Sequence, residues 1–282
     1  MTDARQVTDA RPACGARDEV ARSARRAELS GRLRAIRERI AAACAAAGRS
    51  PGEITLVAVT KTWPASDVRL LSELGVTDFG ENRDQEAAPK AASCAGLPIT
   101  WHFVGQLQTN KCASVARYAD VVHSVDRMRL IGPLGAAARR AGRTLTCLIQ
   151  VSLDVVPGAG PAGPRLPGSG RAAQHAEGAE GRLPRAPRAG AREEEVRALA
   201  EAVAGESGLV LGGVMAIAPL GYPPRPAFER LARSAAVVRA VRNGATIISA
   251  GMSGDFEEAI AAGATHLRIG TALLGDRRPA VR

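Results

Sequence analysis

Short apolar runs alternate with amphipathic stretches along most of the chain. Near its start, Leu29, Leu33, Ile36 and Ile40 recur at the spacing of one helix face. A β-rich apolar run over 54–61 follows, and the stretch over 66–74 ends just before a glycine, as helices commonly do. Continued to residue 274, this alternation predicts eight strands, seven helices between them and one leading helix.

The predicted strands are short and rich in β-branched residues, and they cover 54–61, 78–82, 100–105, 121–126, 144–153, 209–219, 246–253 and 265–274. The predicted intervening helices cover 66–74, 83–93, 109–118, 128–140, 193–204, 227–241 and 255–262. Strands that alternate with helices indicate a parallel sheet. Eight such units predict an α/β fold, a single-domain (β/α)8 TIM barrel. An open doubly wound sheet is the alternative.

Two segments depart from this pattern. Residues 1–26 are polar, rich in arginine and aperiodic, which predicts a disordered N-terminal tail ahead of a barrel over 27–278. Residues 155–190 are rich in Pro, Gly, Ala and Arg and contain few large apolar side chains. Such a segment buries too little surface to offset its ordering entropy, so we expect a disordered insertion. A lid over the barrel is the alternative.

Composition narrows the classes of function. The net charge of +10 comes largely from arginines in 5–39 and 165–197, and aromatic residues, at 3%, are too few for base-stacking platforms. No nucleic-acid partner is therefore expected, although binding through the basic segments remains an alternative. Five cysteines without CxxC spacing predict neither disulfides nor a metal site and fit a reducing compartment. Because no apolar run is long enough for a membrane span or a secretory signal, we expect a cytoplasmic protein.

Lys61 is the first candidate for chemistry, because barrel sites form at the carboxyl ends of strands. It ends the first predicted strand on the same side as Val57 and Val59. Desolvation disfavours an ammonium group there, and a lysine of lowered pKa is suited to forming a Schiff base with an aldehyde. A lysine that reaches solvent or pairs with Glu81 is the alternative.

The ends of the last two predicted strands suit a phosphate group. Small residues there allow the backbone to approach a ligand closely, and serine hydroxyls and helix N-terminal amides suit a phosphate. Barrels frequently bind phosphate at these loops. Arg268 points inward, and either a pyridine nitrogen or a salt bridge would satisfy it. A pyridine beside an arginine stays unprotonated and is a weaker electron sink. Asn82 and His102 are placed near the barrel mouth, but neither alone indicates catalysis.

The resemblance to a known family rests on four stretches, LVAVTKTWPASDVRLLSELGVTDFGENRDQE, WHFVGQLQTNK, GGVMAIAPLG and ISAGMSGDFEEAIAAGATHLRIGTALLG. Together they resemble the pyridoxal phosphate homeostasis proteins over residues 29–277, except for 155–190. The resemblance implies a barrel like the N-terminal domain of alanine racemase, with pyridoxal 5′-phosphate (PLP) as a Schiff base on Lys61. It also implies the other cofactor-binding residues, namely Asn82, His102, Ser249, Gly251, Met252, Ser253, Arg268 at the pyridine nitrogen, Gly270 and Thr271.

Three positions depart from the family pattern. Arg83 stands where a tyrosine is frequent, Ala250 stands where a methionine is typical, and 155–190 replaces a short loop. The first two changes bear on the shape of the pocket, and the third bears on whether a lid exists.

We expect a carrier rather than an enzyme. Related racemases have a second, β-rich domain that supplies a second catalytic group, whereas only 276–282 follow the last predicted strand. The expected function is PLP binding in vitamin B6 and amino-acid homeostasis without substantial turnover, by a monomer that passes PLP to apo-PLP enzymes. No catalytic residue is assigned, and a single-domain PLP-dependent amino-acid racemase is the alternative.

Overall fold

Eight parallel strands close into a barrel in chain order in the structure of the protein, a computed structural model that describes residues 14–154 and 189–276. Helices connect successive strands and cover the outside of the barrel. The barrel closes where β8 pairs with β1, with Leu267 opposite Leu56. The predicted TIM barrel is therefore confirmed, and the open sheet is excluded.

The strands are β1 Thr55–Val59, β2 Asp78–Glu81, β3 Thr100–Phe103, β4 Val121–Val125, β5 Leu145–Gln150, β6 Leu209–Met215, β7 Ile247–Ser249 and β8 His266–Ile269. The helices are α1 Cys14–Ala46, α2 Ala65–Glu73, α3 Asp84–Ser93, α4 Cys112–Tyr118, α5 Ile131–Arg140, α6 Val196–Gly205, α7 Pro224–Val241, α8 Phe256–Ala261 and α9 Thr271–Leu274. Each strand lies within its predicted range, because short β-branched runs mark the barrel strands well.

The eighth strand is shorter than predicted. It ends at Ile269, and Thr271–Leu274 form α9 instead of continuing the strand. Leu273 and Leu274 both donate backbone hydrogen bonds to the carbonyl of Gly270, and both side chains are fully buried. A four-residue apolar run fits either a strand or a helix, so periodicity alone could not separate the two.

The leading helix is longer than predicted, because α1 begins at Cys14. The part of the predicted tail from 14 to 26 is therefore helical, while residues 1–13 lie outside the described residues. Alanine and arginine are strong helix formers, and this part of α1 is held by polar contacts rather than by an apolar stripe. Arg25 pairs with Asp67 at 2.8 Å and lies over the ring of Trp63, 4.7 Å from its centroid.

The predicted insertion over 155–190 lies outside the described residues except for its last two positions. There the carbonyl oxygen of Ala189 accepts a hydrogen bond of 2.6 Å from Nε2 of Gln150. Ala191 then pairs with Val151, so the chain rejoins the barrel beside the end of β5. In the described part of the chain, no helix is long and apolar enough to cross a bilayer.

The barrel interior is polar on one side. Most TIM barrels fill this space with branched aliphatic side chains, and here Val121 and Leu148 do so together with the unbranched Met215. Elsewhere the inward positions of β2, β3, β4, β7 and β8 hold buried or half-buried polar side chains, namely Asp78, His102, His123, Ser249, His266 and Arg268. The apolar core proper lies between the barrel and its helices.

Candidate functional site

A cavity of about 330 Å³ opens at the carboxyl ends of the strands. Seven of the ten predicted site residues line it, namely Lys61, Asn82, Met252, Ser253, Arg268, Gly270 and Thr271. The remaining lining residues, which the sequence analysis did not identify, are Val59, Val104, Met215, Ile217 and Gly254. The cavity therefore has apolar walls and a small number of polar groups, as small-molecule sites usually do.

Lys61 reaches the cavity from a tight turn that follows β1. The N–H of Thr60 donates to the carbonyl of Gly80, and the N–H of Trp63 donates to the carbonyl of Thr60, both at 3.0 Å. Thr62 has a φ of 70°, a left-handed conformation that is unusual for a threonine. Its N–H donates to Oε2 of Glu86 at 3.2 Å, which helps to hold this conformation.

A buried ion pair lies behind this turn, on the outer face of the barrel. Glu81 is fully buried, and its Oε1 accepts hydrogen bonds from Nζ of Lys90 at 2.5 Å and from Oγ1 of Thr60 at 2.6 Å. Burial raises the pKa of Glu81, although the bonds from Lys90 and Thr60 oppose this rise. Alternation along β2 points Gly80 inward and Glu81 outward, so Glu81 supports the turn from outside the cavity.

The loops after β7 and β8 form the small-residue end of the cavity. Gly251 has a φ of 87°, and a Cβ there would lie 2.8 Å from Cβ of Ala259, so only glycine fits this turn. Gly251 shapes the loop but does not line the cavity. Oγ of Ser253 accepts a hydrogen bond from the N–H of Ala272 at 3.3 Å, which joins the two loops. Within the described residues, the backbone N–H groups of Ser253 and Gly254 bind no other group.

Arg268 forms one wall of the cavity and is almost fully buried. Its Nη1 donates to Oγ of Ser249 at 2.6 Å, and its Nη2 donates to the carbonyl of Ala216 at 2.8 Å. Burial lowers the pKa of Arg268 to about 10, so the guanidinium remains charged at neutral pH. Among the described carboxylates, none lies within ion-pair distance, so the salt-bridge alternative from the sequence is not observed.

His102 and Ser249 lie below the cavity rather than in its lining. Nδ1 of His102 lies 2.8 Å from Nε2 of His123, and Nε2 of His102 lies 2.9 Å from Oδ1 of Asp78. Nδ1 of His123 lies 3.0 Å from Oγ of Ser249. The predicted place of His102 at the mouth therefore needs correction, because strand phase gives the direction of a side chain but not its depth. His123 was not among the predicted site residues, although a histidine inside the apolar strand VVHSV is an informative signal.

Comparisons with known proteins identify related sequences. The family model described as alanine racemase, N-terminal domain, matches residues 184–278. The pyridoxal phosphate homeostasis protein of Mycobacterium tuberculosis is 39% identical over 270 residues, which cover 90% of this chain and 95% of that protein. The protein of the same name from Escherichia coli is 34% identical over 262 residues, which cover 89% and 97% of the two chains.

Solved structures show the same barrel. PipY of Synechococcus elongatus with PLP bound superposes with a TM-score of 0.67 at 30% identity, covering 88% of this chain and all of that one. An alanine racemase of Clostridium difficile superposes with a TM-score of 0.60 at 12% identity, and the match covers 90% of this chain and 58% of that one. The second likeness shows the fold alone. On the strength of the curated relatives, the chain belongs to the pyridoxal phosphate homeostasis protein family.

Proposed function

We propose that the protein binds PLP in the cavity at the strand ends, attached covalently through Nζ of Lys61, and acts as a carrier in PLP homeostasis. The observation that carries this proposal is the convergence of Lys61, Arg268 and the loops after β7 and β8 on one cavity. The related protein PipY of Synechococcus elongatus has been solved with PLP bound.

The donor groups match the three functional parts of PLP. Lys61 offers an amine for the aldehyde carbon, and it is one of only three lysines in the chain, with Lys90 and Lys111. Arg268 offers N–H groups to the acceptor nitrogen of the pyridine ring. The backbone N–H groups of Ser253 and Gly254 suit the phosphate oxygens. Apolar walls such as Val59 and Ile217 suit the faces of the ring.

The same residues favour holding the cofactor over turnover. When bound, PLP supplies an electron-withdrawing ring that stabilises carbanions, and a protonated ring nitrogen strengthens this effect. Arg268 stays charged and donates without giving up its proton, so it leaves that nitrogen neutral. Apart from Lys61 and Arg268, none of the twelve lining residues in the described chain has an acidic or basic side chain. A second acid or base opposite Lys61 is therefore missing from this lining.

A carrier must also release its cofactor. Lys61 would hold PLP through a bond that exchanges with water, which gives free PLP, or with the amine of a recipient, which takes PLP over, so apo-PLP enzymes are suitable recipients. We propose that a monomer performs this transfer in a reducing compartment such as the cytoplasm. Four buried cysteines with free thiols support that compartment.

Attachment is tested by comparing the wild type with Lys61→Ala after incubation with PLP and removal of free cofactor. We expect the wild type to retain the visible absorbance of bound PLP and Lys61→Ala to lose it. Borohydride reduction followed by peptide mass spectrometry should place the label on Lys61. Lys111→Ala is the matched control, because Lys111 lies outside the cavity and pairs with Asp84. Retention of the label by Lys61→Ala would exclude the assignment.

Turnover is tested separately with L- and D-alanine on the PLP-loaded protein. The carrier proposal expects no interconversion above that of free PLP. Interconversion that disappears in Lys61→Ala would instead support the single-domain racemase.

A further inference from the structure

A continuous polar chain crosses the barrel beneath the proposed cofactor site. It links five side chains in the order Asp78, His102, His123, Ser249 and Arg268. The successive heavy-atom distances are 2.9, 2.8, 3.0 and 2.6 Å. The chain follows neighbouring strands from β2 to β4 and then crosses the interior to β7 and β8.

The two ends of this chain reach different cavities. Arg268 lines the cavity at the carboxyl ends of the strands. Asp78 lines a second cavity of about 510 Å³, which lies between α1 and the amino ends of β1 and β2. The three residues between them are at most 1% exposed. The chain is therefore a buried connection through the whole height of the barrel.

With both imidazole rings neutral, the chemistry of the two ends fixes the direction of every hydrogen bond. Burial would raise the pKa of Asp78, but hydrogen bonds from His102 and Thr77 outweigh it and hold the pKa below its usual value. The carboxylate can then only accept, so His102 must donate from Nε2. In a neutral imidazole Nδ1 then accepts, which requires His123 to donate from Nε2. Burial also keeps His123 neutral, because it lowers the pKa of that ring well below its usual value.

The remaining links follow from the same rule. Nδ1 of neutral His123 accepts, so the hydroxyl of Ser249 donates its proton to it. The lone pairs of Ser249 Oγ then face Arg268. Because the guanidinium of Arg268 can only donate, Ser249 accepts a hydrogen bond from it. In every link the donor therefore lies on the Arg268 side and the acceptor on the Asp78 side. Each group has a donor or acceptor role that its protonation state allows.

We propose that Asp78, His102, His123 and Ser249 form a one-directional hydrogen-bond relay that positions Arg268 as the donor to the cofactor ring. They are positioning residues, and the ligand of Arg268 rests on the proposed function above. The relay itself is a property of the protein without cofactor. The acceptor atom of each link faces the Arg268 side of the relay. This arrangement offsets the cost of burying the guanidinium charge and fixes the plane of the guanidinium group.

The relay requires particular tautomers of its two histidines even in the protein without cofactor, and nitrogen NMR can measure these tautomers. In the cofactor-free protein labelled with 15N-histidine, His102 and His123 are both expected as neutral rings protonated at Nε2. The four histidines are assigned with single His→Gln variants. A doubly protonated His102, or protonation at Nδ1 of either ring, would reverse two links and overturn the relay. This measurement stands even if the protein does not bind PLP.

The effect on the cofactor is tested with Asp78→Asn, a near-isosteric change at the far end of the relay. Removal of the carboxylate charge is expected to accelerate PLP loss by about tenfold, the effect of one weakened charge-assisted bond. It is also expected to shift the resonance of 15N in the pyridine ring of bound PLP. A purely structural role for Asp78 would leave that resonance in place.

His266→Gln is the matched control. His266 is a histidine of the same barrel interior, with its ring centroid 6.1 Å from that of His102, but it binds Thr265 and lies outside the relay. It should leave the pyridine resonance and the histidine tautomers unchanged. Equal shifts in Asp78→Asn and His266→Gln would overturn the relay. Failure of the wild type to retain PLP would instead overturn the proposed function, leaving the tautomer result valid.

Discussion

Nζ of Lys90 donates a hydrogen bond of 2.8 Å to the carbonyl oxygen of Thr60, the residue that precedes Lys61. The same ammonium group pairs with Glu81, which in turn accepts from the hydroxyl of Thr60. Lys90 and Glu81 are both buried, and both lie on the outer side of the barrel. The turn that presents Lys61 to the cavity is therefore fixed by an ion pair that does not line the cavity.

Lys90→Met is expected to destabilise the protein strongly. It leaves the carboxylate of Glu81 buried without its cation, a change that typically costs about 3–5 kcal/mol. Urea unfolding followed by circular dichroism measures the loss in free energy of unfolding. Because the turn that carries Lys61 loosens, faster PLP loss should accompany the lower stability.

Two comparisons isolate the buried pair. The double variant Lys90→Met with Glu81→Gln should recover much of the stability, because the remaining amide carries no charge. Arg225→Met removes one partner of an exposed pair with Glu229 and should cost less than about 1 kcal/mol. If Lys90→Met costs no more than Arg225→Met, then the buried pair has no special role.

Gly105→Ala is expected to disturb the cavity wall through Asn82. A Cβ at Gly105 would lie 2.0 Å from the carbonyl oxygen of Asn82 and 2.8 Å from its Oδ1. The backbone must move to admit the methyl group, at a cost of about 1–3 kcal/mol or more. Because Asn82 lines the cavity, PLP retention should fall together with the melting temperature.

Gly132→Ala is the control for this substitution. Gly132 lies in α5, and a Cβ there would have no neighbour within 4 Å. In a helix the change should be neutral or stabilising by up to about 1 kcal/mol. Wild-type stability and unchanged PLP retention in Gly105→Ala would contradict the expected disturbance of the cavity wall.

The barrel could be predicted from the sequence because its strands are short β-branched runs at regular intervals. The first and last helices of the fold were harder to predict from the sequence. Thr271–Leu274 is too short to show a helical or strand period. The first part of α1 contacts the rest of the protein through Arg25, whose partner Asp67 is 42 positions away. Local patterns contain no information about such distant polar contacts.

The same limit applies to the site. Strand phase placed Lys61 and Arg268 at the barrel mouth, because alternation along a strand decides which side chains point inward. Depth was not predictable, so His102 was expected beside the cofactor. The link between His123 and Ser249 joins residues 126 positions apart, across the barrel interior. Only the closure of the barrel brings them together.

Acid should destabilise the protein through its buried histidines. Burial lowers the pKa of His266 to about 4 and lowers that of His123 well below its usual value. In the unfolded chain both rings titrate near about 6.5. Between that pH and about 4 the unfolded chain binds protons that the folded protein does not. The free energy of unfolding therefore falls as the pH falls through this range, and it is largest above about pH 6.5.

The contribution of His266 to the pH dependence of stability can be measured separately with His266→Gln, because glutamine does not titrate. The shift from about 6.5 to about 4 corresponds to roughly 3 kcal/mol, lost progressively as the pH falls. Urea unfolding of the wild type and His266→Gln at pH 7.5, 6 and 5 should show a shallower pH dependence for the variant. Most carboxylates titrate below about 4.5, so they contribute little to the difference in this range. Parallel curves for the two proteins would mean that His266 keeps its ordinary pKa in the folded barrel.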